Sequence, residues 1–206
     1  MKMQQNDVIN RAAHISKPKK AEAFEVLNRI LTETDSPAVD DLAKLYAYFL
    51  PNPPARAKTP EQWVTKAVAG KSNVRTYLQH MYSDGEYLIA TNGHLLHGIP
   101  TKLPAGFYDT AGNQITVSDE YPDWRGALIE ENFNTEITIA DLPTATVGGN
   151  PVVNLIGDTW VNLRYLQAVA NGAPTVTVTG HMGEYRSVRF TGPFPGSFAV
   201  IMPVRM

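Results

Sequence analysis

Val74-Arg75-Thr76-Tyr77-Leu78-Gln79-His80-Met81-Tyr82-Ser83-Asp84-Gly85-Glu86-Tyr87-Leu88-Ile89-Ala90-Thr91-Asn92-Gly93-His94-Leu95-Leu96 is where a helical pattern gives way to strands. β-Branched and aromatic residues are broken by Asp84-Gly85 and Asn92-Gly93, both strong tight-turn signals, so the stretch predicts strands joined by short hairpins. Downstream, Ala111-Gly112-Asn113 and Gly148-Gly149-Asn150 punctuate further extended segments. One helix is expected inside this region, over roughly 162–170, with Leu163, Leu166 and Val169 on one face and Asn171-Gly172 ending it. Thr175-Val176-Thr177-Val178-Thr179 alternates strictly, and 187–191 and 197–202 read as the closing strands.

Upstream, the spacing is helical. After Lys17-Pro18, Phe24, Leu27, Ile30 and Leu31 form one apolar stripe. Ser36-Pro37 then supplies an N-cap and a proline at the first helical position, followed by Val39, Leu42, Leu45, Tyr46 and Phe49 on one face and a stop at Pro51-Asn52-Pro53-Pro54. Thr59-Pro60-Glu61-Gln62 predicts a third helix with a capping box and a stop at Gly70, burying Trp63, Val64, Ala67 and Val68. The fold class expected is therefore α+β: a helical, basic N-terminal segment over 1–58, then a largely antiparallel sheet with an embedded helix over 59–206.

The 206 residues suffice for one ordinary domain with a helical appendage, and 43% hydrophobic against 18% charged is a globular balance. No apolar run approaches the ~20 residues of a membrane span. With no cysteine and no secretory core at the N-terminus, disulfides and thiolate chemistry are excluded and a cytoplasmic location is expected. The net charge of −2 hides an asymmetry, +4 over residues 1–75 and −6 over 76–206. Between Lys44 and Arg75, Lys44, Arg56, Lys58, Lys66, Lys71 and Arg75 face a single carboxylate, Glu61. A polyanion would meet the chain here; the alternative is that the helices simply carry solvated cations.

Catalytic signatures are nearly absent. There is no phosphate loop, dinucleotide-binding glycine fingerprint or Gly-x-Ser-x-Gly elbow. His94-x-x-His97 with His80 is the best metal candidate, but residues three apart on a strand point to opposite faces, so structural histidines are expected. Asp40-Asp41, Asp119-Glu120 and Glu130-Glu131 lie beside turns or caps and read as solvated. No enzymatic activity, cofactor or metal is expected. Single-strand binders pair a basic track with aromatic faces on which bases stack. Here Tyr46, Tyr48, Phe49, Trp63, Tyr77 and Tyr82 interleave with the cations. Tyr46, Phe49 and Trp63 fall on the apolar stripes, leaving Tyr48, Tyr77 and Tyr82 as candidate stacking platforms. Lys17, Lys19 and Lys20 form a secondary patch.

Three stretches, in order, resemble the bacterial replicative sliding clamp, the beta subunit of DNA polymerase III. Ala90-Thr91-Asn92-Gly93-His94-Leu95-Leu96 is similar to the clamp's Ala-Thr-Asp-Gly-His-Arg-Leu, and Tyr121-Pro122-Asp123-Trp124-Arg125 to its Phe-Pro-Asp-Tyr-Arg linker. Residues 161–169 with Ala199-Val200-Ile201-Met202-Pro203-Val204-Arg205-Met206 resemble its last helix and its closing Val-Met-Pro-Met-Arg-Leu strand. Together they cover about 70–206. Asn92 and Leu95 replace the family's Asp and Arg. The resemblance implies an apolar pocket for short polymerase peptides, made here by Thr91, Gly93, His94, Leu96, Val200, Met202, Pro203, Val204 and Met206. A clamp chain carries three such domains and closes a ring with a second chain, whereas this one has material for about one, or two much condensed.

The function expected is a non-enzymatic DNA-binding accessory protein of a phage or mobile element. It would hold single-stranded DNA through the cations and tyrosines and recruit a DNA or RNA polymerase subunit through the pocket. That outline is similar in function to the phage single-stranded-DNA-binding RNA polymerase cofactors known as Drc. The alternatives are an oligomeric sliding clamp on duplex DNA, formed as a homo-oligomer, and a protein-only adaptor that captures a polymerase peptide.

Overall fold

The computed structural model describes residues 54–132, 134–181 and 187–205. The expected helices upstream of 54, together with Lys17, Lys19, Lys20, Lys44, Tyr48 and Met206, lie outside the described residues. Helix α1 (Pro60–Thr65) precedes the hairpin strands β1 (Met81–Ser83), β2 (Tyr87–Thr91) and β3 (Leu95–Pro100). β4 (Gly106–Tyr108), β5 (Gln114–Ile115) and β6 (Thr135–Thr138) follow, then β7 (Thr144–Val147), β8 (Asn150–Ile156) and β9 (Thr159–Asn162). Helix α2 (Leu163–Ala170) leads into β10 (Thr175–His181), β11 (Val188–Thr191) and β12 (Phe198–Ile201). The fold is thus α+β and mostly antiparallel, as its strand alternation and punctuation predict.

Nine strands form one sheet in the order β5-β4-β1-β2-β3-β12-β11-β10-β6, and β7-β8-β9 form a second. β3 pairs antiparallel with β12, Leu95 opposite Ile201, Leu96 opposite Val200, His97 opposite Ala199 and Gly98 opposite Phe198. This junction joins the N-terminal hairpins to the C-terminal strands. Because side chains alternate across a strand, it divides the interior in two. Leu88, Ala90, Leu95, Ile99, Ala199 and Ile201 face the larger core with α1, α2 and Val153 and Val161 of the second sheet. Ile89, Leu96, Phe198 and Val200 face the other side, covered by Trp124, Tyr82, Tyr87, Tyr121 and Leu128.

Both helices begin on side-chain caps. Thr59 accepts the Gln62 amide at 3.2 Å while Gln62 Oε1 accepts from the Lys58 amide at 2.9 Å, one residue before the cap. α1 stops at Thr65, short of the expected Gly70. Just beyond it the Lys66, Ala67 and Val68 amides bond three residues back, and the Ala69 amide is committed to the Leu78 carbonyl at 2.8 Å, which draws the chain off the helix axis. α2 starts at Asn162, whose side chain accepts the Arg164 amide, and ends at Asn171 in the left-handed region (φ 51°). Buried Asn171 then clasps the chain ahead of α1: its Oδ1 accepts the Ala57 amide at 2.7 Å and its Nδ2 donates to the Ala57 carbonyl at 3.0 Å. Trp63 Nε1 donates to the Ala168 carbonyl at 2.9 Å, tying α1 to α2.

His97 is fully buried, stacked on Trp63 with ring centroids 3.8 Å apart. Its Nδ1 lies 2.7 Å from the Trp63 carbonyl, which can only accept, so Nδ1 carries the proton. Burial drives its pKa from 6.5 to about 3, opposed by the Trp63 carbonyl and reinforced by the Lys66 charge. Between those values the unfolded chain binds a proton that the folded one refuses. Stability is therefore full above pH 6.5 and falls toward pH 3, by up to about 1.4 kcal/mol per pH unit from this group. Urea unfolding of the wild type and His97→Asn, whose amide can keep the carbonyl bond, should show a shallower loss between pH 7 and 5 in the variant; equal slopes would contradict the neutral buried imidazole. A Cβ added to Gly98 would overlap the Phe198 ring on the facing strand, so Gly98→Val should cost about 1–3 kcal/mol in the same assay.

Candidate functional site: an apolar cleft at the central strand junction

The β2–β3 turn is built by short-range bonds. Thr91 Oγ1 donates to the Leu95 carbonyl at 2.8 Å and accepts from the Gly93 amide, while Asn92 Oδ1 accepts the His94 and Leu95 amides, both at 2.9 Å. Gly93, in the middle of this loop, takes φ 92°, a value that favours glycine. The Met202 amide donates to the His94 carbonyl at 2.8 Å, locking the end of β12 to this turn. Between turn, strand end and the 121–127 segment lies a cleft of ≈ 190 Å³ with a mostly apolar lining. Leu96 and Val200, cross-strand partners, contribute to it, and Met202, 40% exposed, stands at its edge.

Thr91, Gly93, His94, Leu96, Val200 and Met202, all expected at a pocket, line this cleft together. Pro203 and Val204 do not; the Val204 amide instead donates to the Trp160 carbonyl at 2.7 Å, attaching the chain to β9. Pro122, Asp123, Trp124 and Ala127 form a wall that sequence reasoning missed. The Tyr121-to-Arg125 motif was the available signal. Asp123 caps a 3₁₀ turn at Trp124–Ala127 by accepting the Arg125 amide, and this turn seats the Trp124 ring against Phe198 at 5.7 Å. The cleft offers shape and apolar contact with few polar groups, which suits capture of a peptide side chain more than bond-making chemistry.

The candidate DNA-contacting residues are divided by the fold. Arg56 lies against Gly172, and Lys66 Nζ donates to Asn171 Oδ1 at 2.8 Å, so Arg56, Lys58 and Lys66 gather around the start of α1 and the end of α2. Burial lowers the Lys66 pKa. Arg56, Lys58 and Lys71 are exposed. Arg75 is elsewhere, its guanidinium over Gly93 at the hairpin turn. Tyr82 stacks on Tyr121 at 4.8 Å and helps cover the smaller core, while Tyr77 meets the same Tyr121 ring edge-on at 6.5 Å. His94 is exposed, its ring stacked 6.4 Å from Tyr165 of α2, while His97 faces Trp63 on the other side of β3. Among the described residues no cluster of His, Asp or Glu could hold a metal ion, and no helix is long and apolar enough to cross a membrane.

No family model matches the sequence, and no curated protein does. Solved structures match the fold. The DNA polymerase III subunit beta sliding clamp of Bartonella birtlesii, solved with griselimycin, is 14% identical with a TM-score of 0.53, over 71% of this chain and 63% of that one. The C. crescentus beta sliding clamp is 15% identical with a TM-score of 0.53, over 71% and 62%. The Pseudomonas aeruginosa clamp bound to griselimycin is 14% identical with a TM-score of 0.50, over 71% and 63%. The chain thus spans less than two thirds of the length of these clamps. At such identities the likeness is one of fold, and the fold is that of a sliding clamp.

Proposed function

We propose that the chain is a non-enzymatic, DNA-associated accessory protein of the sliding-clamp kind, a processivity factor that docks a polymerase by a short apolar peptide. The observation that carries this reading is the cleft itself. Six residues from the β2–β3 hairpin and the end of β12, far apart in sequence, converge beside a linker wall, in a fold shared with replicative clamps. An exposed methionine beside branched and aromatic groups can adapt to varied apolar anchors.

A phage cofactor that holds single-stranded DNA for a polymerase is the second reading, in a host cytoplasm. The exposed cations at Arg56 and Lys58 support contact with phosphates. Tyr82 has one ring face stacked on Tyr121, which takes that face from bases and favours the first reading. As a clamp the protein would assemble as a ring, and light scattering would report a closed oligomer. It would also be retained on nicked circular duplex and lost from linear duplex of the same length. Preferential, salt-sensitive binding of a short single strand would instead favour the cofactor, and no DNA binding of any kind would leave a protein-only adaptor.

Met202→Asp, placing a charge at the cleft edge, should weaken binding of a labelled leucine-rich peptide by about tenfold or more without moving the unfolding midpoint; unchanged anisotropy titrations would remove the cleft from peptide capture. Arg56→Glu with Lys58→Glu should weaken DNA binding and lower the slope of log K against log salt by ~0.9 or less per lost phosphate contact. Lys66 is a poorer choice for that test because its ammonium bonds the Asn171 clasp.

A further inference from the structure

Beyond the apolar cleft, on the far side of Trp124, lies a larger and more polar one of ≈ 340 Å³. Trp124 lines both. Along β12 and just past its end the residues lining the clefts are Phe198, Val200 and Met202, so the two clefts are offset along this stretch by up to four residues, about 13 Å. An extended peptide would cover that distance in about four residues.

Two guanidinium groups border the second cleft, and they differ. Arg125 lies 4.6 Å over the Trp124 ring and is paired with both Asp84 at 2.6 Å and Glu86 at 3.1 Å. Arg189 lies 5.6 Å over Phe198, donates Nη1 to the Ile129 carbonyl at 3.2 Å, and meets the exposed Glu131 through Nη2 at 3.0 Å. Its buried Nε has no partner among the described residues. Nε and Nη2 form one edge of the guanidinium, the edge a carboxylate grips with both oxygens. Glu131 uses half of it.

We infer that this second cleft is a subsite for a carboxylate side chain of the same partner peptide, standing about four residues from the apolar anchor and displacing Glu131 to engage both Nε and Nη2 of Arg189. This rests on the peptide reading of the apolar cleft. Asp84, Glu86 and Glu131 make the surroundings acidic overall, which one carboxylate on a tethered peptide can tolerate and a polyanionic strand cannot. Glu131 acts as an internal stand-in that keeps the arginine from being left uncompensated when no ligand is bound.

The test uses the full chain and labelled decapeptides that carry a leucine pair and, four residues to either side, Glu, Gln or Lys. In fluorescence anisotropy the Glu peptide should bind about threefold to tenfold more tightly than the Gln peptide, and the Lys peptide most weakly. Glu131→Gln, an exposed change with little risk to folding, should widen the Glu-to-Gln gap by removing the competitor. Arg189→Lys, which keeps the charge and loses the fork, should narrow it. Equal binding of Glu and Gln peptides to the wild type would overturn the subsite while leaving the apolar cleft intact. Failure of every peptide to bind would overturn both, and displacement of the Glu peptide by an oligonucleotide would reassign the cleft to nucleic acid.

Discussion

The pairing of β3 with β12 is the constraint on which the molecule turns. It is the central seam of the nine-stranded sheet, and each residue on it serves one of two interiors. Leu95 and Ile201 face α1 and α2, whereas Leu96 and Val200 face the aromatic cover and the cleft. A shift of one residue in this register would exchange those roles and expose half of each core. The hydrogen bond from Met202 to His94 and the packing of Phe198 over Gly98 fix the register from its two ends.

The linker from Tyr121 to Leu128 completes what the seam begins. It carries the chain across the outer face and lays Tyr121 and Trp124 over residues that would otherwise form an open apolar sheet. Where the cover is tight, as at Tyr82 and Tyr121, the surface is closed. Around Trp124 it is looser, and clefts open on either side of that ring. How completely the cover fits the sheet decides where this face is closed and where a cleft opens.

Much of the fold is legible in local sequence because the signals are local. Asn162 and Asn171-Gly172 bracket α2, Asn92-Gly93 makes a hairpin turn, and the alternation of 175–179 sets β10, each through bonds spanning a few residues. The end of α1 is not legible, since Gly70 offers a plausible stop while the deciding bond runs from Ala69 to Leu78. The cleft is half legible. Its strand residues follow from the resemblance, but the Trp124 wall depends on where the linker crosses. The division of the cation cluster is hidden for the same reason: proximity in sequence does not tell that Arg75 turns to the hairpin while Arg56 lies against Gly172 and Lys66 bonds Asn171.

The seam also sets the order in which the chain can acquire structure. β12 is the last strand among the described residues, yet it lies in the middle of the large sheet, between β3 and β11. Some hundred residues must be brought round before β3 finds its partner, and the loop entropy of that closure is lost before the contacts compensate. Until then the β1–β2–β3 hairpins hold an unpaired edge and two apolar faces, the kind of surface that invites association with other chains. Slow, topology-limited folding is the kinetic counterpart of a cleft lined by residues far apart in the chain.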